Sequence, residues 1–163
     1  MLIEHAIASF FASAAFGIIF QAPRNTLIKC GLVGMIGWVI YISLVWEEVD
    51  SVPATLIASF VIAMVSQMLA RIYKTPMIIF NVPGIIPLVP GSLAYDAMRS
   101  FVQNDYSVAI SIAAKAFMIS GAIAFGLVFS EVLNQIIKKI RQTKAQLRRS
   151  EERRVGKECP LLC

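Results

Sequence analysis

NVPGIIPLVPGSLAY, residues 81–95, decides how this chain can fold. The stretch is apolar enough for a bilayer, yet Pro83, Pro87 and Pro90, together with Gly84 and Gly91, argue against one continuous helix across it. An interior proline removes a backbone N–H, and its ring collides with the carbonyl four residues earlier. The carbonyls of Ile79, Pro83 and Ile86 are thereby left without helical partners. Hydrocarbon offers no substitute donor, so non-helical backbone at membrane depth persists only against protein or around a polar cavity. An apolar segment broken in this way points to a binding site.

The rest of the chain sets that segment in a membrane. Of its 163 residues, 58% are hydrophobic, and the mean hydropathy is +0.73. Those values exclude an ordinary soluble domain and leave room for one membrane domain. Glu4 and His5 stand where a secretory leader would carry basic residues, so the first apolar run reads as a retained helix, although Ala12-Ser-Ala14 has the form of a cleavage site. The C-terminal residues 149–163 read differently. Their RSEERRVGKEC resembles the translation of a sequencing-library adapter, and the expectation is that this segment is not natural protein. Without it the chain loses four basic and three acidic residues, and the net charge falls from +5 to +4. Cys159 and Cys163 lie in the same tail, which leaves Cys30, read here as a small packing residue.

The expected fold is an all-α integral membrane protein of about five transmembrane helices over residues 1–137. A basic cytoplasmic tail, 138–148, follows. The spans fall near 3–20, 27–46, 53–70, 77–98 and 108–132, with the PGxxPxxPG segment breaking the fourth. Small residues recur at helical spacing in the others: Ser9, Ser13 and Gly17; Gly31, Gly34 and Gly37; Ser59 and Ala63, in line with the polar Gln67; Ala122, Gly126 and Ser130. Such stripes let helices approach closely in lipid, where packing drives association. Gln67 is polar at membrane depth and is expected to face protein. In the fourth span a short helix to about residue 82, an irregular centre and a second short helix capped by Ser92 are expected.

Lysine and arginine orient the chain, because they are retained on the cytoplasmic side. Five crossings collect Arg24, Lys29, Arg71, Lys74 and the 138–148 cluster on one side and leave Arg99 on the other. The N-terminus is then outside and the C-terminus cytoplasmic. The basic tail reads as a topology anchor rather than a nucleic-acid site.

The broken segment also carries the chemistry. Freed carbonyls suit an ammonium group, and the N-terminus of the second half-helix suits a carboxylate. An amino-acid zwitterion matches both. The plain alternative is a kinked helix packed on its neighbours with no ligand. Asp96 and Arg99, three apart, form either an ordinary ion pair or a site in which Asp96 couples transport to protons. Lys115 shares a face with Ala122 and is expected to point into the bundle, unless its head snorkels outward. The candidate substrate pathway is therefore Pro83, Gly84, Pro87, Pro90, Gly91, Ser92, Asp96, Lys115 and Gln67. No catalytic set is expected: His5 is the lone histidine, at the N-terminal edge, and no metal or cofactor motif is present. The acidic loop of Glu47, Glu48 and Asp50 reads as a solvated connection.

Phe20-Gln-Ala-Pro23, Gly34-Met-Ile-Gly37, and above all Pro83-Gly-Ile-Ile-Pro-Leu-Val-Pro-Gly91 followed by Ala94-Tyr95 carry a family resemblance. Over residues 1–135 the chain resembles the threonine/serine exporter family, specifically its small, separately encoded half. The resemblance implies a bacterial inner-membrane exporter that works with a larger membrane subunit, and in some split members export of a dicarboxylate such as succinate. It implies no catalytic residues. The expected function is therefore a subunit of a secondary exporter for small hydroxy amino acids. A dicarboxylate exporter subunit and a non-transporting assembly subunit are the alternatives, and self-association is left open.

Overall fold

The computed structural model describes the backbone of residues 2–157 and the side chains of residues 3–140, 142 and 143. The last part of the adapter-like tail, with Cys159 and Cys163, lies outside the described residues. The chain folds as α1 (Leu2–Ile19), α2 (Arg24–Trp46), α3 (Ser51–Tyr73), α4 (Ile78–Ile85), a 3-10 turn (Ile86–Leu88), α5 (Gly91–Val102) and α6 (Tyr106–Lys157). No strand occurs among the described residues. The chain divides between Phe129 and Ser130 into two units, the second being the C-terminal part of α6.

Three helices are long and apolar enough to cross a membrane: Arg24–Trp46, Ser51–Tyr73 and the Tyr106–Ile140 part of α6. Ile78–Leu88 and Gly91–Val102 meet at a 47° bend and make a fourth crossing if taken as one span. α1 is a shorter apolar helix. Its 18 residues extend about 27 Å at 1.5 Å each, close to the thickness of a hydrocarbon core.

Four connections, all but the break between α4 and α5, are entered through a non-glycine residue in the left-handed region: Gln21, Glu48, Lys74 and Asn104, with φ between 52° and 67°. In every case the following N–H reaches back five residues, as in Ala22 N–H to the Gly17 carbonyl at 2.9 Å and Asp105 N–H to the Ser100 carbonyl at 3.0 Å. These bonds close the carbonyls that a helix end leaves open. The Phe20-Gln-Ala-Pro23 motif is such a corner. Gln21 turns the chain, Ala22 caps α1, and Pro23 opens α2 by accepting from both the N–H and the hydroxyl of Thr26.

Small residues set how closely the helices pack. A Cβ on Gly34 would collide with Ser13 Oγ of α1, one on Gly31 would stand 2.6 Å from the Phe10 ring, and one on Gly37 would collide with Ile62 of α3. Gly126 of α6 lies so near α3 that a Cβ would meet Ser59 Oγ and stand 2.9 Å from the Leu56 carbonyl oxygen. Val33, Ala58, Ile62, Leu88, Ile119 and Ile123 form the core between these contacts. Large apolar side chains face outward, with Phe117 81% and Phe125 73% exposed. A water-soluble domain would bury such side chains, whereas lipid accepts them.

Two details of the broken segment differ from expectation. α4 continues through Pro83 to Ile85 instead of stopping near residue 82. Pro83 removes the partner of a single carbonyl, that of Ile79, and this oxygen finds another donor. Ser92 does not cap α5. Pro90 is the N-cap, its carbonyl accepting the Ala94 N–H at 3.1 Å, and no side-chain cap bond forms. Proline needs no donor of its own there, so the cap falls two residues before Ser92 and the helix opens at Gly91.

Candidate functional site

Helix α2 presents Cys30, Val33, Gly34 and Gly37 along one buried face, at the spacing of a single helical stripe. The broken segment lies on that stripe. Pro83 and Gly84 are buried, and a Cβ on Gly84 would stand 2.7 Å from Val33 and 3.1 Å from Ile62. Pro87 approaches Gly34, and Leu88 approaches Gly37. Cys30 Sγ donates to the Ile79 carbonyl at 3.3 Å, so its role exceeds that of a small packing residue. The Ile86 carbonyl, facing Pro90 four residues on, takes the Val89 N–H at 3.2 Å. Two of the three carbonyls expected to be orphaned therefore have donors within the protein.

At the start of α4, Lys29 Nζ sits 3.2 Å from the centre of the Tyr73 ring, and Tyr73 packs at a tilt against Phe80, 6.5 Å between centroids. Phe80 is fully buried. This cation–aromatic–aromatic stack ties the ends of α2 and α3 to α4. Ser13 Oγ and Ser66 Oγ are buried without a hydrogen-bond partner. Ser13 lies beside Gly34, which in turn contacts Pro87, so one unanswered hydroxyl stands next to the break.

Beyond Leu88 the surroundings change. Val89, Pro90 and Gly91 leave the core and enter a groove of about 550 Å³ between α5 and the first half of α6, whose walls are apolar apart from Ser120. Of the nine pathway residues expected from sequence, the groove takes Pro90 and Gly91. Pro83, Gly84 and Pro87 lie on α2 and α3, and Gln67 is 6% exposed within α3, facing protein as expected. Ser92, Asp96 and Lys115 are exposed.

Lys115 thus does not enter the bundle. Ala116, Ile119, Ala122 and Ile123 occupy the buried face of α6, and one residue of rotation, about 100°, turns Lys115 off it. Among the described residues Asp96 forms no ion pair with Arg99 or Lys115. Sequence reasoning missed the partner of the Ile79 carbonyl and the alanines of the groove. The alanine spacing at 109, 113 and 116 was a signal for the latter.

The PGxxPxxPG break lies inside a 129-residue region, 5–133, matched by the protein-family profile described as Threonine/Serine exporter, ThrE. The chain belongs to the threonine/serine exporter family. As a family member it is an exporter-type membrane protein with several crossings. It is similar to an uncharacterized protein of Haemophilus influenzae, 32% identical over an alignment covering 74% of this chain and 43% of that protein. The exporter-family chain therefore spans less than half the length of this relative. No solved structure matches it.

Proposed function

We propose that this chain is one subunit of a bacterial inner-membrane secondary exporter for small hydroxy amino acids, threonine and serine. It crosses five times, with α1 as the first crossing and the bent α4–α5 pair as the fourth. The N-terminus lies outside and the basic end of α6 in the cytoplasm, as the distribution of lysine and arginine favours. A larger membrane subunit supplies the remainder of the pathway. The relative of which this chain covers 43% has further sequence beyond the matched region, of the kind such a subunit would supply.

The observation that carries the reading is the interruption between Ile85 and Gly91 in an otherwise helical membrane protein of an exporter family. Broken helices are where transporters bind solutes, because their ends expose unpaired backbone groups. Ser13, buried and unpartnered beside Gly34, adds a polar group at the same place. The break is closed by α2 and α3, so solute enters when α4 and α5 move relative to them. The candidate pathway comprises Pro83, Gly84, Pro87, Pro90 and Gly91, with Ser92, Asp96, Lys115 and Gln67 acting along the route.

Efflux of threonine, serine and succinate from cells expressing the chain alone and with its larger partner tests this. Threonine and serine efflux only in the pair supports the reading. Succinate efflux alone transfers the same architecture to dicarboxylates, and unchanged efflux of all three refutes transport.

An assembly role is the second reading, favoured by the apolar character of the groove at Pro90 and Gly91. Pro87→Ala and Gly91→Leu separate the two. A transport element loses flux with the complex intact, whereas a scaffold loses the complex itself.

A further inference from the structure

We propose that the hydroxyl of Ser13 recognises the side-chain hydroxyl of the transported amino acid. The proposal deepens the exporter reading above and rests on it for the class of solute.

Hydroxyls within the helices of this protein follow one habit. Ser9 Oγ donates to the Ala6 carbonyl at 3.0 Å, Thr55 Oγ1 to that of Ser51 at 2.6 Å, Ser59 Oγ to that of Leu56 at 2.9 Å and Ser120 Oγ to that of Ala116 at 2.9 Å. A serine or threonine inside a helix ordinarily satisfies itself in this way, on a carbonyl three or four residues back. Ser13, one turn beyond Ser9 on the same face of α1, does not. It is fully buried, and its Oγ has no hydrogen-bond partner among the described residues. A buried hydroxyl in that condition is costly.

The direction of the side chain places that hydroxyl at the break. A Cβ built on Gly34 would fall against Ser13 Oγ, 2.7 Å from Ser13 Cβ and 3.6 Å from Pro87 Cγ. The oxygen is therefore the leading atom of Ser13 toward α2, and the proline ring of the 3-10 turn borders the same spot. Ser66 Oγ on α3 is also buried and unpartnered, and Ser13 is distinguished by its place beside Pro87. Close contacts of Phe10 with Gly31 and of Ser13 with Gly34 hold α1 on α2. Ser13 stays with that pair when α4 and α5 move, and withdrawal of Pro87 uncovers its hydroxyl.

The surrounding side chains fix what Ser13 can read. Val33, Ile62 and Leu88 form the core along this stretch of α2, α3 and the 3-10 turn, and all three are apolar. A carboxylate or ammonium group placed among them would lack partners. A neutral hydroxyl needs only one group that can donate or accept, which serine supplies. The charged ends of the amino acid fall to the helix ends at the break, and its hydroxyl to Ser13. Threonine and serine differ from 2-aminobutyrate and alanine by that hydroxyl alone, so preferring them takes a hydrogen-bonding partner inside the site.

The test measures efflux of L-threonine and of its deoxy analogue L-2-aminobutyrate from cells expressing this chain with its larger partner. Ser13→Ala is expected to cut the preference for threonine by about tenfold, the worth of one buried hydrogen bond, while 2-aminobutyrate leaves as fast as before. A packing defect would slow both alike. Ser59→Ala removes a hydroxyl already paired within its own helix and is the control that keeps the preference. The purified pair gives a second readout independent of flux. Threonine is expected to raise the unfolding temperature of wild type more than that of Ser13→Ala, and the solute-free variant to unfold no lower than wild type, since no protein hydrogen bond is lost. An unchanged preference in Ser13→Ala overturns the inference. A lower unfolding temperature of the solute-free variant does so too, because the hydroxyl would then be holding the bundle together. If wild-type cells export neither compound, the exporter reading itself fails and the inference falls with it.

Discussion

Cys30 Sγ donates to the backbone carbonyl of Ile79 at 3.3 Å, joining α2 to α4 across 49 residues of sequence. The acceptor is the oxygen that Pro83 strips of its helical donor. A thiol is a weak donor, but hydrocarbon offers none, so this contact lets α4 continue through a proline at membrane depth.

Cys30→Ala removes the donor and leaves the Ile79 oxygen, part-buried between α2 and α4, unpaired. The expected cost is about 1–3 kcal/mol, read as a lower unfolding temperature of the purified protein in detergent. Cys30→Ser keeps a hydroxyl donor of nearly the same size and is expected to lose less than half as much. Equal losses in the two variants would mean that Cys30 acts through packing alone.

Gly34→Ala drives a Cβ into Ser13 Oγ and to 2.7 Å from Ser13 Cβ. Forcing α1 away from α2 is expected to cost about 1–3 kcal/mol. Ser13→Gly deletes the colliding atoms, so the double variant recovers most of the loss. A double-mutant cycle on thermal stability measures that coupling. Gly121→Ala is the contrast, since nothing lies within 4 Å of its added Cβ, and a mid-helix glycine replaced in open space gains about 0.5–1 kcal/mol.

Pro87→Ala with Pro90→Ala restores two backbone donors to the break. The Pro83 and Ile86 carbonyls then have helical partners, and the 47° bend between Ile78–Leu88 and Gly91–Val102 is expected to straighten. Spin labels at Ile78 and Val102, both exposed, report this as a longer distance by double electron–electron resonance. An unchanged distance would assign the bend to packing on α2 and α3 rather than to the prolines.

Gln21 sits at φ 54°, where a side chain is strained by about 1–2 kcal/mol. Gln21→Gly relieves that strain but adds freedom to the unfolded chain. The net expectation is a gain of about 0.5–1 kcal/mol, measured by thermal unfolding. No comparable gain is expected at Ala22, whose N–H already closes the Gly17 carbonyl from an ordinary backbone conformation.

The break was legible in the sequence because proline acts on its own neighbours. Pro83 identifies Ile79 as the carbonyl that loses its donor without any knowledge of the fold. The close-packed stripes were legible for a similar reason: Ser13, Gly34, Ser59 and Gly126 declare by size and spacing where helices can touch. Ser92 misled because a serine near a helix start is a good cap only if the helix starts there, and Pro90 had already supplied the first acceptor. Lys115 misled because seven residues return almost to the same face, while the buried strip of α6 is too narrow to include it.

Sequence alone determined the membrane class, the position of the interruption and which helix faces are thin enough to meet. Hydropathy, the missing N–H of proline and the missing Cβ of glycine are properties of single residues and their near neighbours. Only the tertiary structure decided that Cys30 answers Ile79, that Pro83 and Gly84 lie on Val33 and Ile62, and that α5 and α6 leave a groove between their alanines. Those outcomes depend on distances between segments far apart in the chain, set when whole helices pack and not by any one stretch.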